Sequence, residues 1–312
     1  MDWFTGFEAD DHHVNGTRIH ARVGGTRGKP PLLLVHGFPQ THVTWHRVAR
    51  QLADHYFLVL PDLRGYGDSA KLPGTPDHAQ ASKRAMAADL VALMDALGAT
   101  TFHLCGHDRG GRVAHRLALD HPQRVRKLCV LDIAPTLDMY QGRWAARVRQ
   151  QAGAQDPYFL FARGYYHWFH LIQPAPLPET MISGDARAYL HAKLGGWGAR
   201  GLAHIEPQAL AEYERCFCRP EAIHAACEDY RASAGIDLDH DRTSRERGET
   251  IRFDLQVLWG AEGLVGKLFD PLALWQPQCA GHVSGQAVPS GHFIPEELPQ
   301  ETADALWSFF RD

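Results

Sequence analysis

The chain has 312 residues, 45% of them hydrophobic, enough for one large core or for a core with an inserted subdomain. A net charge of −4 argues against nucleic acid or an anionic membrane as a partner. Six cysteines (Cys105, Cys129, Cys216, Cys218, Cys227, Cys279) lack CxxC spacing, the opening MDWFTGFEADDHH has no apolar signal core, and no apolar run reaches membrane-spanning length, so a soluble cytoplasmic protein with reduced thiols is expected. Twenty histidines raise the question of metal, but neither HExxH nor paired Cys/His spacing occurs and His12-His13 sits in a polar segment; no metal is expected.

In chain order, residues 17–23 (TRIHARV) alternate as an edge strand does, and 31–36 (PLLLVH) form the short apolar run of a buried parallel strand leading into His36-Gly37-Phe38-Pro39. A second such run, 56–60, leads into the glycine-rich PDLRGYGDS loop. Met86, Leu90, Leu93, Met94 and Leu97 recur at helical spacing, with Gly98 as a C-cap. The runs TFHLC (101–105) and KLCVLDI (127–133) are two more strands, separated by a helical pattern through Val113, Leu117 and Leu119. Strand and helix alternating from 31 to 135 imply an α/β fold, a mostly parallel sheet with helices on both faces. From about 136 to 244 buried-strand runs vanish, and aromatic, charged, proline-broken helical stretches take over. The expected organisation is a core (1–135), a helical cap (136–244) and the rest of the core (245–312), with strands at 255–259 and 286–288 and a last helix over Leu298–Phe310.

The chemistry centres on Gly106-His107-Asp108-Arg109-Gly110, a Gly-X-Asp-X-Gly turn between a strand and a helix. Small residues on both sides of the central one let the chain turn sharply and lift that side chain clear of the sheet. A serine there, attacking saturated carbon, would form an ether that water cannot open; an aspartate forms an ester that it can. Asp108 therefore reads as the nucleophile of a displacement at sp³ carbon, with halide or an epoxide oxygen leaving. The competing reading is an N-cap aspartate with no chemistry.

A nucleophilic carboxylate needs a base for the hydrolytic water and a partner that orients the base. His292, in Ser290-Gly291-His292-Phe293 before the last helix, fits the base; Asp132, ending a buried strand, fits the partner, with Glu262 after LQVLWG as its rival. Ligands of open parallel sheets bind at the carboxyl ends of strands, where all three would meet. An oxyanion hole is expected from the backbone N–H groups of Phe38 and Arg109. Arg109 and Arg112 stand one and four residues beyond Asp108. Two guanidiniums beside a nucleophilic carboxylate suit a substrate with its own carboxylate, which points to a small acid with a leaving group on its α carbon.

The segments HGFPQTHVTW, PDLRGYGDS, GHDRGGR, LDIAPT, YHWFHLIQPAPLPE, CEDYRA and SGHFIPEE together resemble the fluoroacetate/haloacetate dehalogenases of the α/β-hydrolase superfamily, over nearly the whole chain. The resemblance implies an α/β-hydrolase fold, Asp108 as nucleophile, His292 and Asp132 as base and partner, and Arg109 and Arg112 as carboxylate clamp. From the cap it adds His167, Trp168 and Tyr230 as donors to the halide, with Trp197 lining the pocket. It further implies hydrolysis of a 2-haloacid such as fluoroacetate, no cofactor, and a homodimer. Segment 137–165 is longer than in that family, so a re-lined entrance is expected. Two alternatives remain open: an epoxide hydrolase in which Tyr230 and Tyr165 or Tyr166 protonate the epoxide oxygen, and a receptor that binds without turnover.

Overall fold

Two antiparallel strands, β1 (Phe7–Val14) and β2 (Thr17–Gly25), open the chain in a computed structural model that describes residues 3–142 and 157–311. Next come the apolar runs β3 (Pro31–Val35), β4 (Phe57–Pro61), β5 (Phe102–His107), β6 (Val125–Leu131) and β7 (Leu255–Gly260), and then β8 (Val283–Val288). They form one sheet in the order β1-β2-β4-β3-β5-β6-β7-β8, in which every pair from β4 to β8 is parallel. Strands such as β4 and β5, buried at every residue, need cover on both faces, which is why these runs are continuous rather than alternating.

One expectation is corrected. Residues 17–23 belong to β2, which lies inside β1 rather than at the edge. In β1, FEADDHHV, most side chains face solvent, so the strand carries no apolar face for a periodicity argument to find.

The core helices follow from the same patterns. Helix α1 (His46–Leu52) packs against the C-terminal helix, and α2 (Lys83–Ala96) against α3 (Arg109–Asp120). Ser82 caps α2 by accepting from Ala85 N–H, buried Met86, Leu90, Leu93 and Met94 bind it to the core, and Gly98 ends it at φ 76°. Between β6 and β7 the described elements are helices: α4 (Thr136–Tyr140), α5 (Pro157–Gly164), α6 (Tyr166–Leu171), α7 (Leu177–Gly184), α8 (Ala186–Trp197), α9 (Pro207–Phe217), α10 (Pro220–Ala234) and α11 (Ile236–Glu246). Of the segment 137–165, expected to re-line the entrance, residues 143–156 lie outside the described residues. Past β7 come the short helices α12 (Leu264–Leu268), α13 (Pro271–Trp275) and α14 (Ile294–Glu297), then the last, α15 (Pro299–Phe310). All six cysteines are free thiols, and among the described residues no helix is long and apolar enough to cross a membrane.

Candidate active site

Between the end of β5 and the start of α3 a single residue, Asp108, makes the turn at φ 49°, ψ −119°. A non-glycine residue held there stores of order 1–3 kcal/mol. Close approach on either side enforces it: a Cβ on Gly110 would sit 2.3 Å from the carbonyl oxygen of His36, and one on Gly37 2.5 Å from Cβ of Asp108. The carboxylate does not cap α3. Instead Oδ1 accepts the Phe38 N–H at 2.9 Å, and Oδ2 lies 3.6 Å from Nε2 of His292. The Phe38 N–H thus already donates to this carboxylate, while the Arg109 N–H follows Asp108 at the first position of α3.

Asp132 follows β6 directly and also sits at positive φ, 50°. Its Oδ2 is 2.6 Å from His292 Nδ1 and its Oδ1 accepts the Gly260 N–H at 2.9 Å. Of the two candidates for the orienting acid, Asp132 stands on His292, whereas Glu262 is exposed. The loop carrying His292 is pinned from both sides. Its N–H donates to the carbonyl of Trp197 (2.9 Å), and its own carbonyl accepts from Nε2 of buried His107 (2.8 Å). Burial alone would lower the pKa of His292, but Asp108 and Asp132 outweigh it and raise it to about 9. For Asp108 burial is again the opposing influence, and His292, His107 and Arg109 hold the carboxyl well below the usual carboxylate range.

The two arginines have different surroundings. Arg109 is held by Asp229 of α10, which takes its Nε–H (2.9 Å) and an Nη2–H (2.5 Å), and its guanidinium lies 4.1 Å over the Tyr230 ring. Lys83 and the Tyr66 hydroxyl bind the same carboxylate. Arg112 bonds only neutral acceptors, the carbonyl of Ala134 (3.2 Å), Oγ1 of Thr136 (2.9 Å) and Sδ of Met139 (3.2 Å). Among the described residues it has no ion pair, and its buried Nε–H has no partner. The buried hydroxyls of Tyr140 and Tyr165 also lack partners there, and both phenols lie within electrostatic range of Arg112.

Above Asp108 and His292 the cavity is lined by Phe38, His167, Trp197 and Tyr230, with Lys193 beside them. His167 and Tyr230, 5.6 Å apart between ring centroids, meet there, as does Trp197. Trp168 is placed differently: its ring stacks on Tyr140 (4.9 Å) and lies 5.0 Å beneath the Arg112 guanidinium. Lys193 and Trp197, four residues apart on α8, also line a wider outer depression with Arg163, Tyr166 and Lys267.

Residues 30–168 match the α/β hydrolase fold model. A fluoroacetate dehalogenase from a Burkholderia species is 42% identical over 99% of this chain and 95% of its own length. The chain belongs to the fluoroacetate/haloacetate dehalogenase family of the α/β hydrolases. A solved α/β-hydrolase structure from Nostoc sp PCC 7120 superposes with a TM-score of 0.89 at 48% identity, covering 98% of both chains. More distant is the soluble epoxide hydrolase of Corynebacterium sp. (strain C12), 32% identical over 96% of each chain.

In this family member three buried polar residues escaped the reading of the sequence: Lys193, Asp229 and Lys83. Asp229 had a signal, since CEDYRA was already singled out, and Ser233 and Asp237 follow it at helical spacing to bind the same Lys83 (3.1 and 3.3 Å). Lys193 had none. Metal-ligating atoms gather within 4.8 Å of one another at His20, His42 and Asp62, and at Asp68, Glu212 and Cys216. Both groups already have other bonds: in the first, His42 Nδ1 bonds Asp62 Oδ1 (2.9 Å) and His20 Nδ1 pairs with Asp11 Oδ1 (2.9 Å), and in the second Arg215 binds both Asp68 and Glu212.

Proposed function

We propose that this hydrolase is a haloacetate dehalogenase, with fluoroacetate as its first substrate, converting small 2-haloacids to 2-hydroxyacids without a cofactor. One observation carries the reading. Arg112 is a fully buried guanidinium four residues from the nucleophile, with a free Nε–H and no carboxylate partner among the described residues. An unpaired buried cation is costly, and it cannot shed its charge as a lysine can. A substrate carboxylate supplies the missing partner and brings its α carbon to Asp108. Arg109, already neutralised by Asp229, braces the clamp and the Tyr230 ring rather than supplying the free charge.

In the first step an oxygen of Asp108 attacks the α carbon, the carbon–halogen bond breaks, and halide leaves toward His167 and Tyr230, with Trp168 behind Arg112. Charge develops on the halide only in the transition state, so donors placed there act on rate rather than on ground-state binding. The product is an ester of Asp108, and one of the two charges that had raised His292 is gone while Asp132 keeps its own. The imidazolium then gives its proton to solvent more readily, leaving His292 neutral and able to act as a base when one is needed. It takes a proton from water, the oxygen attacks Cγ of Asp108, and the oxyanion on Oδ1 stays on the Phe38 N–H. Collapse expels the hydroxyacid oxygen, which takes the proton from His292, and the regenerated Asp108 releases its own proton to solvent.

The test is the intact mass of His292→Ala after incubation with fluoroacetate and with chloroacetate. The reading expects a gain of one carboxymethyl group that maps to Asp108, since displacement does not need the base. No adduct, together with no halide release by the wild type, overturns it. The second reading, an epoxide hydrolase, draws on buried Tyr165 and Tyr230 as proton donors; it predicts diol from a neutral epoxide and leaves Arg112 without a partner throughout.

A further inference from the structure

We propose that Lys193 is a positioning residue for halide departure: its ammonium bonds Nδ1 of His167 and so fixes Nε2–H as the donor that faces the cavity. The inference rests on the haloacid reading and goes beyond it, because it assigns the tautomer of the halide donor to a residue on a different helix.

Helix α8 starts where Asp185 accepts the Ala188 N–H at 2.9 Å, and two turns later it delivers Lys193 into the cavity wall, 4% exposed. Nζ of Lys193 lies 3.1 Å from Nδ1 of His167. Among the described residues no carboxylate pairs with it. Its other neighbours are π faces, the Tyr166 ring at 4.0 Å and the Trp197 ring at 5.5 Å. A lysine ammonium has three donors and no lone pair, so at this distance Nδ1 is the acceptor, and a neutral imidazole then carries its single proton on Nε2. His167 is neutral: burial, with Lys193 beside it, holds its pKa well below the usual value against the pull of Asp108. Its Nε2 has no hydrogen-bond partner among the described residues, and its ring shares the cavity with Asp108, Tyr230 and His292. The opposite tautomer would turn a lone pair toward the departing halide. A buried ammonium with no acid partner has no evident structural return, and its position beside His167 supplies one.

The charge is conditional. Burial lowers Lys193 to about 7, with Asp108 opposing. The groups facing it are Tyr166 and His167 from α6, Trp197 from its own helix, Tyr230 from α10, Asp108 from the elbow and His292 beyond β8, with Arg163 of α5, Glu262 after β7 and Lys267 of α12 lining the outer depression on its other side. Loss of the proton above about pH 7 frees both tautomers, so the lock tightens as pH falls.

Lys193→Met separates this role from a packing role. Fluoride depends far more than bromide on donated hydrogen bonds, so kcat/KM for fluoroacetate is expected to fall about 10²-fold and that for bromoacetate less than about threefold. Lys193→Arg, which keeps a charged donor, should recover most of the loss, and the Met variant should melt no lower than wild type because an unpaired buried charge has been removed. A second readout does not depend on turnover: below about pH 7, where Lys193 keeps its proton, ¹⁵N NMR of His167, assigned by its loss in His167→Gln, should show Nε2–H alone in wild type and a tautomer mixture in Lys193→Met. Equal losses with both acids, no loss with either, or an unchanged tautomer overturns the proposal. A wild type that releases no halide from either acid fails the haloacid reading instead, and the NMR result still decides the role of Lys193.

Discussion

The floor and the roof of the cavity are held in place by different means. On the floor, Asp108 and Asp132 sit at positive φ directly after strands β5 and β6, and the main chain of His292 is clamped by bonds to the Trp197 carbonyl and the His107 ring. Each group is fixed by main chain and ion-paired to a neighbour. On the roof, His167, Lys193, Trp197 and Tyr230 come from three cap helices and are positioned by ring contacts, and Lys193, like Arg112 of core helix α3, has no ion pair among the described residues. A self-neutralised floor can run one reaction on many substrates. In the proposed function, the unpaired cations select the molecule that completes them.

Variants should therefore divide by which side they touch. Asp108→Asn keeps a residue that tolerates the elbow conformation but removes the proposed nucleophile, and turnover of every haloacid should fall by at least ~10⁴-fold, measured as halide release. Asp229→Asn leaves Arg109 and Lys83 short of the carboxylate that both use, so it should cost roughly 3–5 kcal/mol of stability, read as a lower denaturant midpoint, with a smaller direct effect on chemistry. Arg112→Leu removes a cation that has no acid partner among the described residues. It should lower kcat/KM for haloacetates by about 10²–10³-fold, chiefly through KM, while stability rises or stays level because an unpaired buried charge has gone. A drop in stability for Arg112→Leu as large as that for Asp229→Asn would erase the distinction between the paired and the unpaired buried charges.

The same division decides what could be read from the sequence. The floor lies in contiguous words, GHDRGG and SGH, and at a strand end, so local patterns together with the rule that ligands sit at the carboxyl ends of strands bring Asp108, Asp132 and His292 together. Glu262 drops out only when β7 is seen to place Gly260, rather than Glu262, on Asp132. The roof is tertiary. His167 and Tyr230 stand out by family resemblance alone, and Lys193, in ARAYLHAKLGGW, looks like any solvent-facing helical lysine until α8 folds onto α6. Two arginines three apart read as a matched clamp, but the partner that separates their roles, Asp229, is 120 residues away from Arg109. Strand β1 was invisible for another reason: most of its side chains are exposed, so no apolar alternation marks it.

The smallest expected effect is the most direct probe of how the floor works. His292 stands at about 9 because two carboxylates outweigh its burial. In the proposed reaction one of them, Asp108, loses its charge as the ester forms, whereas Asp132 keeps its own. Asp108→Asn imitates that neutral state, so the His292 ring should titrate lower in the variant by about one unit or more, roughly 1.4 kcal/mol of interaction. Its C2 proton signal followed by NMR from pH 5 to 10 makes the measurement. Linkage gives a second view. The folded value lies above the ordinary 6.5, so the stabilisation is complete below about 6.5 and is lost as pH rises through about 9; thermal stability should decline across that window in wild type and less steeply in Asp108→Asn. If His292 titrates at the same pH in both proteins, Asp108 does not set its basicity, and ester formation cannot be what readies the base.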